Sequence, residues 1–167
     1  MMRPIDVREL LEHPGSATTS RVQDPLAGLR TEVAVLDDET PVEGELLLES
    51  VVEGILVSGT LHAPVTFVCA RCVKEFAGPV DVQVSELFVP DPDPDADDYA
   101  LAPEGELDPE QMVRDALGLA LPFAPLCRAD CKGLCERCGS DRNVGSCSCA
   151  ESVDARWAPL QDLKIDD

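Results

Sequence analysis

CRADCKGLCERCGSDRNVGSCSC, residues 127–149, holds six of the eight cysteines of this 167-residue chain. Within it Cys135-x-x-Cys138, a turn-rich loop and Cys147-x-Cys149 supply two close thiolate pairs. That is the spacing of a closed, all-sulfur tetrahedral zinc site. Gly139 directly follows the second cysteine of the Cys-x-x-Cys, where glycine allows the left-handed turn that aims backbone amides at the sulfurs. Cys127 and Cys131 remain, and with Cys69-Ala-Arg-Cys72 they form a second set of four that ties the first half of the chain to the second. Spacing alone leaves the division open: Cys127, Cys131, Cys135 and Cys138 could share one ion, and Cys69, Cys72, Cys147 and Cys149 the other. Four thiolates also suit iron as well as zinc.

Disulfides are the competing reading, but they need an oxidising compartment. The N-terminus, Met-Met-Arg-Pro-Ile-Asp-Val-Arg-Glu-Leu-Leu-Glu, lacks the apolar run of a signal peptide. No run of about 20 apolar residues occurs anywhere, so no membrane span is expected. The formal charge of −20 becomes about −24 if two divalent ions each sit among four thiolates. Such a surface repels phosphate and attracts basic partners. Six of the thirteen basic residues, Arg71, Lys74, Arg128, Lys132, Arg137 and Arg142, lie in the cysteine-bearing stretches, beside Glu75, Asp130, Glu136 and Asp141. They read either as an RNA-contacting set or as donors supporting the thiolates.

Working outward, Asp108-Pro-Glu-Gln111 offers an N-cap, a proline at the first helical position and a capping-box glutamine. A helix is expected through Met112, Val113, Ala116, Leu117 and Ala120, ending before Pro122, after which Leu121-Pro-Phe-Ala-Pro-Leu126 leads to Cys127. Upstream, Pro90-Asp-Pro-Asp-Pro-Asp-Ala-Asp-Asp98 reads as an extended, self-repelling linker. From Thr31 to Val89 the apolar period is two. Val33 and Val35 alternate against Glu32 and Ala34, and runs at Gly44–Val52, Gly54–Cys69 and Glu75–Val89 predict an antiparallel meander. Val65, Phe67 and Cys69 share one face and Val80, Val82 and Val84 another, so Cys69–Cys72 falls at a hairpin tip. His62 has the opposite parity from Cys69 and reads as a plain strand residue.

Asp6-Val-Arg-Glu9 predicts a short capped helix ending before Pro14, and residues 14–30 look irregular, with His13 an exposed helix-end residue. Beyond Cys149, the chain's one tryptophan, Trp157, with Leu160 and Leu163, suggests a final short helix docked on the lobe or sheet. The expected architecture is α+β: one domain over 1–167, with a β-rich part at 31–89, an acidic linker at 90–106, and a helix plus zinc-binding lobe at 107–167.

The chain resembles the YceD family of large ribosomal RNA subunit accumulation proteins. The resemblance rests on Cys69-Ala-Arg-Cys72 with Phe76 nearby, Leu121-Pro-Phe-Ala-Pro-Leu-Cys127, Cys131-Lys-Gly-Leu-Cys135-Glu-Arg-Cys138-Gly139, Asn143, Cys147-Ser-Cys149, and Arg156 with Leu160 and Leu163. It implies a bacterial cytoplasmic protein that supports 23S rRNA accumulation, in large-subunit assembly. Three functions follow as expectations. A non-catalytic assembly factor would bind a basic ribosomal protein or a large-subunit precursor. A direct rRNA binder would use the arginine-bearing cysteine lobe. A thiol-redox or metal-hydrolase enzyme would need a low-pKa cysteine or an open metal position.

Overall fold

The computed structural model describes residues 2–93, 98–149 and 156. Eight strands and two helices follow in order: β1 (Ile5–Asp6), α1 (Arg8–Glu12), β2 (Ala17–Pro25), β3 (Ala34–Leu36), β4 (Pro41–Ser50), β5 (Ile55–Val68), β6 (Glu75–Val89), β7 (Tyr99–Ala100), β8 (Glu106–Leu107) and α2 (Glu110–Ala120). The main sheet has the order β2-β4-β5-β6-β7, and β3 pairs the far end of β5. All its pairings are antiparallel except β6 with β7. A separate two-stranded ribbon joins β1 to β8.

The meander follows from the period of two. Along β5, Ile55, Val57, Leu61, Ala63, Val65 and Phe67 are buried. They face the same side as Val80, Val84 and Phe88, which lie opposite Ala63, Gly59 and Ile55. Helix α2 covers this face, burying Met112, Val113 and Leu117. Its packing partner in the sheet is β6. The Met2, Val7, Leu10, Leu26 and Leu107 side chains complete one continuous apolar core. A buried leucine contributes about 1.5–3 kcal/mol relative to exposure, so this aliphatic core needs few aromatics.

Four expectations need correction. Residues 17–25, read as irregular, form the edge strand β2, paired with β4 from Ala17↔Glu49 to Pro25↔Pro41. Only Val22 of this strand is fully buried, so an apolar period never develops. In β3 the core side belongs to Ala34 and Leu36, while Val35 is 47% exposed. The acidic stretch begins as a linker, but Tyr99–Ala100 and Glu106–Leu107 are strands, and Phe88 and Tyr99 stack at 5.2 Å. Finally, Gln111 does not close a capping box, because its amide donates to Asp115 at 2.8 Å. The N-cap position of α2 is Pro109, without a side-chain cap bond, and Asp108 one residue earlier accepts from the Glu110 amide at 2.9 Å. The expected Asp6 cap is also displaced: Val7 is the N-cap of α1, without a side-chain cap bond, and Asp6 of β1 accepts from the Arg8 amide at 3.1 Å. The expected helix at Trp157, Leu160 and Leu163 lies outside the described residues. No helix among the described residues is long and apolar enough to cross a membrane.

Candidate metal centres

The β5–β6 hairpin closes with Val68↔Glu75 as its last pair, so residues 69–74 form its tip. In that tip the Val73 amide donates to the Cys69 carbonyl at 2.9 Å, and the Cys69 amide to the Lys74 carbonyl at 2.9 Å. The same two bonds recur farther along: Gly139 to Cys135 at 2.8 Å and Cys135 to Ser140 at 2.8 Å. Both turns carry a left-handed residue after the second cysteine, Val73 at φ 58° and Gly139 at φ 70°. Two copies of one knuckle are thus built on the shared pattern Cys-x-Arg-Cys, followed by Val73 in one and Gly139 in the other. In each, the tight turn directs successive amides toward the sulfurs.

The chain after α2 is fastened to the first knuckle by the Ala70 amide, which donates to the Pro125 carbonyl at 2.8 Å. That contact brings Cys127 and Cys131 beside the hairpin tip. The sulfurs of Cys69, Cys72, Cys127 and Cys131 all lie within 4.8 Å of one another, and so do those of Cys135, Cys138, Cys147 and Cys149. Of the two divisions that the spacing leaves open, this is the one the fold assembles. Cys69 Sγ lies 3.9 Å from Cys131 Sγ, and Cys72 Sγ lies 3.7 Å from Cys127 Sγ. These separations are nearly twice a disulfide bond of about 2.05 Å. A tetrahedron with metal–sulfur bonds of about 2.3 Å has edges of about 3.8 Å, so the donor set fits a divalent ion.

The two clusters differ in setting. Cys69, Cys72 and Cys131 are buried, with Phe76, Leu126 and Leu134 packed against them. In the second set Cys138 is exposed and the other three are partly so. Without an ion, each cluster polarises into easy and difficult thiols. The Cys127 amide holds the Cys69 thiol down at about 6. Burial, and then hydrogen bonding to Cys69, pushes the Cys127 thiol up to about 12. Amides of Cys138 and Arg137 lower Cys135, whereas hydrogen bonding to Cys138 and then burial push Cys149 up to about 12. Crowded thiols share protons in this way because one thiolate opposes the next. A divalent ion removes that opposition.

All six basic residues are exposed, and three of them also bond within the lobe. Arg71 Nη1 donates to the Cys131 carbonyl at 2.9 Å, Lys74 Nζ pairs with Asp141 Oδ2 at 2.5 Å, and Arg128 Nη2 donates to Asn143 Oδ1 at 2.8 Å. Arg128 also approaches Asp130 at 3.2 Å. Lys132, Arg137 and Arg142 side chains are exposed. Among the described residues none of the six cationic side chains is hydrogen-bonded to a sulfur. The polar side chains that reach sulfur are Asn143, donating to Cys131 Sγ at 3.5 Å, and Ser140, whose Oγ lies 3.0 Å from Cys138 Sγ. In the sequence Asn143 stands out only through the family resemblance, Asp141 only as an acidic neighbour of the basic residues, and Ser140 not at all. Their legible signal is the turn composition Gly-Ser-Asp-x-Asn after Cys138. His62 is exposed and pairs with Asp81 across the strands at 2.6 Å, away from both clusters.

An uncharacterized protein of Mycobacterium tuberculosis is 37% identical over 166 residues, covering 95% of this chain and 80% of its own. One of Mycobacterium leprae is 34% identical over 168 residues, covering 97% and 77%. The Arabidopsis thaliana protein named large ribosomal RNA subunit accumulation protein YCED homolog 1, chloroplastic, is 24% identical over 183 residues, covering 89% and 57%. No solved structure matches at comparable significance. The family profile described as Large ribosomal RNA subunit accumulation protein YceD matches residues 57–164, from β5 through both cysteine clusters, and the chain belongs to that family.

Proposed function

We propose that this chain is a non-catalytic, zinc-stabilised factor for large ribosomal subunit assembly. It acts in the cytoplasm, supporting 23S rRNA accumulation by binding a basic ribosomal protein or a precursor particle that carries one. Cys69, Cys72, Cys127 and Cys131 would hold one ion and Cys135, Cys138, Cys147 and Cys149 the other. The observation that carries the reading is that each set brings four sulfurs within 4.8 Å of one another, enough to fill every corner of a tetrahedral ion's coordination. Such an ion organises backbone and offers no position for water or substrate. The choice of a basic partner rests on the charge of −20, with the bonds that the exposed Arg71, Lys74 and Arg128 make to Cys131, Asp141 and Asn143 as a secondary support.

Direct rRNA binding is the second reading, favoured by the exposed Lys132, Arg137 and Arg142 on the lobe. Titration against basic proteins extracted from large subunits, and separately against 23S rRNA at rising salt, separates the two. Saturable binding to the protein fraction with weak RNA binding is expected. RNA affinity that falls steeply with salt, and is lost in a Lys132→Glu/Arg137→Glu/Arg142→Glu variant, would replace the first reading with the second.

A further inference from the structure

The two sulfur clusters are separate in their ligands but not in their supports. Asn143 belongs to the loop between Cys138 and Cys147, yet its Nδ2 donates to Cys131 Sγ of the other cluster at 3.5 Å. Its Oδ1 accepts from the Lys132 amide at 2.8 Å and from Arg128 Nη2 at 2.8 Å, on either side of Cys131. Asp141 fixes the same side chain, accepting from Asn143 Nδ2 at 2.7 Å and from its amide at 2.8 Å. Every hydrogen-bonding position of the Asn143 amide group is therefore engaged. Asp141 then reaches the first knuckle through Lys74.

The backbone repeats the connection. The Leu134 amide donates to the Arg71 carbonyl at 3.0 Å, the Arg142 amide to the Gly133 carbonyl at 3.0 Å, and Leu134 bridges Asp141. Gly133, at φ 71°, sits where a Cβ would stand 2.8 Å from the Arg71 carbonyl oxygen. Only glycine allows the two knuckles to approach this closely.

We propose that the two four-cysteine sites take up metal cooperatively, with the loop from Gly139 to Ser146 as the coupling element and Asn143 as the positioning residue. This rests on the metal reading above. An ion held by Cys135, Cys138, Cys147 and Cys149 fixes both ends of that loop. The fixed loop keeps an N–H on the Cys131 sulfur and Asp141 beside Lys74, so the first site no longer bears the entropy of ordering them. Coupling of this kind is reciprocal: each site raises the other's affinity by one common factor.

The test uses the full chain. Zinc affinity at each site is measured by chelator competition, and cobalt substitution reports thiolate ligation through sulfur-to-cobalt charge-transfer absorption. Loss of a supporting hydrogen bond typically weakens metal affinity by about 10–100-fold. A Cys147→Ser/Cys149→Ser variant should therefore weaken the first site on that order, although none of its ligands has changed. Asn143→Ala should weaken it too, leave the far-UV circular dichroism of the sheet intact, and add little in the Cys147→Ser/Cys149→Ser background. The reciprocal Cys69→Ser/Cys72→Ser variant should weaken the second site by the same factor. A first site held within twofold of its normal affinity in the Cys147→Ser/Cys149→Ser and Asn143→Ala variants overturns the coupling while leaving the metal reading intact. A wild-type chain that binds fewer than two ions overturns both.

Discussion

Val73 holds a φ of 58° although a left-handed backbone costs a non-glycine residue about 1–2 kcal/mol, and a β-branched one at least that. Its side chain is 64% exposed, so packing does not compensate; the knuckle's two backbone bonds impose the conformation. Val73→Gly should therefore be neutral or stabilising by up to about 1 kcal/mol in urea denaturation, the added chain entropy of glycine offsetting part of the relief. A clear destabilisation would show that the valine side chain has a packing role. At the matching position of the second knuckle, the Cβ that Gly139→Ala adds meets no atom within 4 Å, so the loss should be the backbone term alone, about 1–2 kcal/mol. Glu110 is a residue of a different kind. The Met2 amide, and then Arg114, hold its carboxyl below the ordinary 4.5. The stability it contributes is present above the unfolded-state value and is lost as pH falls through the depressed folded value. Glu110→Gln should therefore flatten the fall in urea midpoint between about pH 6 and pH 3; equal slopes in variant and wild type would remove Glu110 from the account of acid sensitivity.

Helix α2 shows what an element's faces decide. Leu117 is 1% exposed and Leu119 is 89% exposed, although both are leucines in the same turn. Leu117→Ala should cost about 2–5 kcal/mol, since it opens a cavity against the sheet. Leu119→Ala should change stability by less than about 0.5 kcal/mol. Thermal denaturation of the pair measures which face docks; comparable losses would contradict the packing described here. The period of two likewise makes β4, β5 and β6 legible, because each has one face in the core. Strand β2 escapes that reading, since an edge strand held by ladder bonds to β4 needs no apolar alternation, and Ser20 and Asp24 occupy its half-buried positions. In β3 the parity reads Val33 and Val35 as the apolar face, but the core takes Ala34 and Leu36. A three-residue strand is too short for its own pattern to overrule its neighbours, and pairing with Val65 and Phe67 of β5 sets its phase.

At the scale of the whole molecule, the sheet and the cysteine lobe rest on different sources of stability. The core that runs from Met2 to Leu121 depends on apolar area. Among the described residues the lobe has only a small cluster of Cys69, Cys72 and Cys131 with three flanking apolar residues. Removing metal with a chelator at neutral pH should accelerate amide hydrogen exchange across residues 127–149 while β4, β5 and β6 remain protected. Exchange mass spectrometry checks this, and simultaneous loss of protection in the strands would mean that the lobe also holds the sheet together.

The eight cysteines, their pairing into close couples, the hairpin tip at Cys69 to Cys72 and the helix ending before Pro122 are all written in local sequence, because spacing, turn residues and apolar period act over a few neighbours. Local sequence also carries the acidity on which the proposed basic partner rests. Which couples join is a different matter. Cys69 and Cys131 stand 62 residues apart, and their meeting depends on the Ala70–Pro125 bond, the docking of α2 on β6, and the approach of Gly133 to Arg71. The same holds for Asn143, whose amide reaches the sulfur of another cluster only after both knuckles have folded. Contacts of this length leave no periodic trace in the chain; tertiary packing alone brings their partners within range.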